Sequence, residues 1–176
     1  MNKLRKMLGA ADSPYILSLM RLIETQSKAT IAKWCLDYAE ENILPIFERR
    51  CPGDERPRMA LAASRDWFEG KKKLPEVKNI ILNECHAAAR ELDSDPAAQA
   101  AARTCGQAAA CFHTPTHSLG LAFYGAAAIA YDRVGIAETA EVYDRIAAEE
   151  CAKMEVALRT IADPNETNPA KINWRC

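Results

Sequence analysis

The chain is short of glycine, with seven in 176 residues, while alanine is heavily used; both biases favour helix and predict an all-α fold. It is also short of net charge. A balance of −1 with a pI near 6.3 provides no global field to draw it to nucleic acid or to an anionic membrane surface. Long apolar runs are missing: the most apolar stretch stops well short of the roughly 20 residues a membrane span needs. The opening MNKLRKMLGAAD holds no apolar signal core. Paired-cysteine motifs are missing too. The cysteines, seven in number, include no C-x-x-C pair and fall mostly on apolar helical faces. That is the pattern of free buried thiols in a reducing cytoplasm, not of a disulfide framework or a zinc knuckle. Finally, there is no P-loop, G-x-S-x-G elbow, G-x-G-x-x-G or H-E-x-x-H, so no residue announces a reaction or a cofactor.

What is present is organised around residues 96–131, PAAQAAARTCGQAAACFHTPTHSLGLAFYGAAAIAY, which read as two helices joined at His113-Thr-Pro-Thr-His117. The second has almost no polar face, and a helix apolar all round is buried all round. Its small side chains suit the centre of a helical globule, where axes approach closely. A chain of this length fits one domain, 1–176, and buries roughly 70% of the surface its unfolded form exposes.

The other segments supply surrounding helices. Leu4, Met7, Leu8 and Ala11 suggest a short leading helix, and Pro14 opens the next, with Ile16, Leu19, Met20 and Ile23 inward. Over 28–50 a stripe runs through Ile31, Trp34, Cys35, Tyr38, Asn42, Ile46 and Phe47; Pro45 interrupts it and predicts a kink near Asn42. After a turn at Pro52-Gly53-Asp54, a helix from Arg56 to Gly70 carries Met59, Ala60, Ala63, Ser64, Trp67 and Phe68 inward. A lysine linker leads to a fourth helix from Pro75 that buries Val77, Ile81, Cys85, Ala88 and Leu92. Beyond the central pair, Gly135 marks a helix end, and a last helix over 138–162 points Tyr143, Ile146, Cys151, Met154 and Leu158 inward. The tail, 163–176, reads as irregular, with Trp174 either a contact residue or folded back. No internal repeat is visible, yet the succession of helices allows a compact bundle or a short α-superhelix around the Ala/Gly-rich pair.

Only the histidines raise a question of chemistry. His113 and His117 flank the central junction, and His86 lies on a helix edge that could meet them, so a metal-dependent enzyme with these three as ligands is one reading. The spacing of Cys105, Cys111, His113 and His117 matches no structural zinc site, and the competing reading is that these side chains satisfy backbone groups at a tight turn, with Thr114 as an N-cap.

Three stretches carry a resemblance. WCLDYAEENILPIFERRCPGDERPRMALAASRDWFEG, CHAAAREL and AAARTCGQAAACFHTPTHSLGLAFYGAAA are similar to the Imm-five-like immunity proteins of bacterial polymorphic toxin systems over residues 28–133. The "VLPLFE"-type helix end, the "P-x-D-x-RPR" turn and the "W-x-x-G" helix end correspond to 43–48, 52–58 and 67–70, and the family's histidine runs fall on His86, His113 and His117. The resemblance implies a small cytoplasmic helical protein that binds and neutralises a cognate toxin, with no catalytic residue, cofactor, nucleic acid or membrane involved. Exposed faces such as that of Glu138, Glu141 and Glu149 are then candidate partner contacts. A helical scaffold acting on an endogenous partner is the remaining alternative.

Overall fold

The computed structural model describes residues 4–174, which form helices and connections with no strand among them. In order these are α1 (Pro14–Ile23), α2 (Lys28–Tyr38), α3 (Leu44–Arg50), α4 (Arg56–Phe68), α5 (Leu74–Asn79), α6 (His86–Glu91), α7 (Pro96–Ala110), α8 (Ser118–Val134) and α9 (Ala140–Ile161). Two π-helical segments, Ala39–Ile43 and Ile80–Cys85, run α2 into α3 and α5 into α6, so the nine α-helices make seven rods. Side chains start several of them: Ser27 accepts from the Thr30 N–H, Asp95 from Ala98 and Thr139 from Val142.

The centre is α7. From Ala97 to Ala110 every residue except Arg103 and Gln107 is buried, and α2, α3, α4, α6 and α8 all pack against it. The sequence points to α8 as the fully enclosed helix, but α8 keeps a half-buried edge at Leu119, Phe123 and Tyr124. Its Ala/Gly-rich side faces α7 and its other side faces α9, which in turn carries α1. A hydrogen bond from the Trp34 indole to the Met154 carbonyl (2.9 Å) ties α2 to α9. None of these helices is long and apolar enough to cross a membrane.

Other expectations are refined or corrected. The leading helix does not form over the described part of 1–11. Leu4–Ser13 instead runs as an irregular strap that buries Leu8 and donates its N–H to the Phe123 carbonyl (3.1 Å). A segment so short has no helical stability of its own, and single docked side chains decide its path. The break at Pro45 is a π turn: the Leu44 N–H reaches the Ala39 carbonyl five residues back, making room for the proline ring. The extra residue swings Asn42 out to solvent, where its amide donates to the Tyr38 carbonyl (3.2 Å). On α4 the inner stripe is Pro57, Ala60, Leu61, Ala63 and Ser64; Met59 lies off it, Phe68 ends the helix in register with it, and both are exposed. Glu138 precedes the last helix, because Thr139 supplies the cap. Over the described residues 163–174 the tail is irregular: Trp174 folds back to donate to Glu24, and the Ala170 N–H reaches the Gln26 carbonyl (2.8 Å).

Candidate functional site

The histidines do come to one side of the molecule, around the α7–α8 junction. His86, the first residue of α6, lays its ring on α7 at Gly106, where any Cβ would stand 2.6 Å from the ring's Cε1. His117 Nδ1 meets Gln107 Oε1 at 2.6 Å, which makes that nitrogen the donor for the amide orientation present. Gln107 itself fits between helices because residue 120 is glycine; a Cβ there would lie 2.6 Å from Gln107 Cβ and Cγ. His113 pairs with the Thr114 hydroxyl (2.6 Å) and stands edge-on to His117, ring centroids 6.3 Å apart. Thr114 is therefore occupied by its neighbour and makes no side-chain cap.

All three imidazoles are held below their ordinary pKa, chiefly by burial. Positive neighbours add to this: Arg90, His117 and Arg103 at His86, and Lys78, His117 and Lys28 at His113. Neutral imidazoles could ligate a metal, yet His113 and His117 are turned to Thr114 and Gln107, and the His86 ring lies on Gly106. Among the described residues no three His, Cys, Asp or Glu side chains converge as a ligand set.

The cysteines are equally committed to packing. Cys35 and Cys105 are fully buried, and burial pushes both thiols far above their usual value; Cys85 and Cys151 are pushed up to about 12 for the same reason. Cys111 sits against Cys35, sulfur to sulfur, at 3.3 Å. Cys51 is half-buried, and Cys176 lies outside the described residues. A protonated, enclosed thiol is a poor nucleophile.

Two surface features offer contacts instead. Phe68 is 44% exposed at the end of α4 and heads an aromatic run that passes through Trp67 (5.0 Å between centroids) to Phe112 (4.5 Å) and His113 (4.9 Å). Beside it Ala29, Lys33, Leu36, Arg65 and Glu69 complete an open groove of about 300 Å³. Reading Phe68 as a core residue hides this ledge; it stands four residues beyond Ser64 and seven beyond Leu61, so periodicity places it inward, and its exposure comes from being the last residue of α4. Glu138, Glu141 and Glu149 are all exposed. Glu149 reaches toward Arg133 (3.9 Å) and Arg145 lies between the two glutamates on α9, so this face is mixed in charge.

Compared with known proteins, residues 21–157 match the sequence model of a family described as "Imm-5 like putative immunity protein". The match reaches past the 28–133 segment, taking in the end of α1 and most of α9. No curated protein and no solved structure matches the chain.

Proposed function

Because the chain belongs to the Imm-5 like immunity protein family, we propose that it binds one cognate protein toxin of a bacterial polymorphic toxin system and blocks it by occlusion, with no chemical step of its own. The family match over 21–157 is the observation that carries this reading. The fold supports it physically. A scaffold centred on a nearly all-buried helix changes shape little, and a preformed surface binds without first being ordered. A blocking contact of ordinary size buries about 800 Å² on each partner. With net charge near zero, affinity rests on local shape and patches more than on long-range steering.

Two faces qualify for the contact. We place its apolar anchor on the Phe68 ledge, since exposed aromatics backed by further rings are the groups that dominate binding energy at interfaces. The Glu138, Glu141 and Glu149 face is the other. The metal-dependent reading through His86, His113 and His117 has no converging donor set behind it among the described residues.

The test is co-expression with the toxin domain encoded next to this gene. Restored growth and a one-to-one complex on size exclusion are expected. Absence of both sinks the reading. Phe68→Ala should weaken the complex at least tenfold while Glu141→Lys with Glu149→Lys changes it less; the reverse order moves the contact to α9.

A further inference from the structure

Every arginine of α3 and α4 holds a carboxylate. Arg49 and Arg50 share Asp132, Arg56 holds Asp54 and Glu91, Arg58 holds Glu48, and Arg65 holds Asp37 and Glu40. Arg90 and Arg103 hold none among the described residues, and both line the same open cleft of about 280 Å³ with His86, Ala89, Gln107 and Tyr124. The cleft is made by periodicity. His86 and Arg90 are one turn apart on α6, and Arg103 and Gln107, the two residues that interrupt the buried length of α7, are one turn apart facing them. The guanidinium of Arg103 lies 5.9 Å from the centroid of the Tyr124 ring on α8, which restrains it without neutralising it.

The polar inventory is one-sided. Two guanidiniums present only donors, and the Gln107 carbonyl oxygen is taken by His117, which leaves its NH₂ as the free end. Tyr124 adds a hydroxyl and His86 an imidazole, and no carboxylate lines the space. Two of these groups lie against glycines: Gly106 lets the His86 ring lie against α7, and Gly120 lets Gln107, which holds His117, sit between the helices. A cleft whose only charged lining side chains are two guanidiniums suits a tetrahedral oxyanion carrying more than one charge, because each guanidinium presents a fork that fits a pair of its oxygens. The volume admits such a group with a short organic remainder.

We propose that this cleft between α6, α7 and α8 is a binding site for the phosphate group of a small phosphorylated molecule, with Arg90 and Arg103 as its charge partners and Gln107 and Tyr124 as orienting donors. The site is independent of the toxin-binding reading, for which neither arginine is used.

The experiment titrates the full chain with inorganic phosphate and with pyrophosphate, at constant ionic strength, by calorimetry and by ³¹P NMR. Acetate serves as a singly charged comparison. Saturable binding of phosphate or pyrophosphate at one site per chain is expected, with acetate at least tenfold weaker. Arg90→Gln with Arg103→Gln should weaken binding tenfold or more. Arg21→Gln with Arg145→Gln, which removes the same charge from arginines outside the cleft, should leave it within twofold. His86→Gln provides a single change at a half-buried ring that keeps both arginines, and a several-fold loss is expected from it. Unsaturable binding, equal binding of acetate, or equal losses in the two double variants would overturn the assignment.

Discussion

At Gly106 and Gly120 the missing side chain decides what α7 can hold beside it. Both positions would bring a Cβ to 2.6 Å from a neighbour, but the neighbours differ: at 106 it is the end of the His86 side chain, which can swing, and at 120 it is Gln107 Cβ, which is fixed to its helix. Gly120→Ala should therefore cost more than Gly106→Ala, with about 1–3 kcal/mol for the former, in the range of overpacking. Urea denaturation of the two variants checks the order, and a loss at 120 no larger than at 106 would contradict it. The same three histidines set an acid limit. Their folded pKa values lie below the unfolded one, so as pH falls below about 6.5 the unfolded chain takes up protons that the folded chain resists, and stability declines. Carboxylates act lower on the scale; Asp54, for example, is held down by its hydrogen bonds with Arg56. Thermal midpoints should drop between pH 7 and 5.5, and His86→Gln, His113→Gln and His117→Gln together should flatten that slope. An unchanged slope in the triple variant would refute the assignment.

Among the elements, strong local signals translated directly into structure. Pro14, Asp95-Pro96, Gly70 and Gly135 open or close helices as their chemistry requires, and the alanine-rich pair 96–131 is the centre of the fold. The π turns divide instructively. Pro45 advertises the first, whereas nothing in Ile80–Cys85 marks the second, since no proline or glycine lies there and the turn answers packing against α4 and α7. The site was legible only in part: the histidines are visible as residue types, but their neighbours Arg90, Arg103 and Tyr124 matter through the juxtaposition of three helices, which one sequence does not display. Glu150 belongs with these. It is 3% exposed on α9, and Arg133 of α8 and Lys153 each reach its Oε1 at 2.7 Å. Changing both cations to methionine strands a buried carboxylate and should cost about 3 kcal/mol, while Glu150→Gln in the same background should recover part of it. Calorimetric unfolding measures both, and equal stability of the two backgrounds would show that the carboxylate is not stranded.

For the molecule as a whole, the question is whether all the helices fold as one. Cys35 on α2, Cys85 ahead of α6, Cys105 on α7 and Cys151 on α9 are all buried, so each thiol reports whether its own part of the structure is closed. Because α7 touches α2, α3, α4, α6 and α8 while α9 closes on α1, α2 and α8, opening any one rod uncovers surface on the central helix or on a neighbour of it. That connectivity predicts a single cooperative unit spanning 14–161, with no separately stable half. The measurement is thiol labelling across a urea series, read residue by residue by mass spectrometry. In native buffer Cys51 should label readily and the buried thiols slowly. With added urea, the protection of Cys35, Cys85, Cys105 and Cys151 should be lost along one common curve that coincides with the loss of helical circular dichroism. If Cys151 loses protection well before Cys105, α9 and α1 open as a unit of their own, and the one-unit description fails.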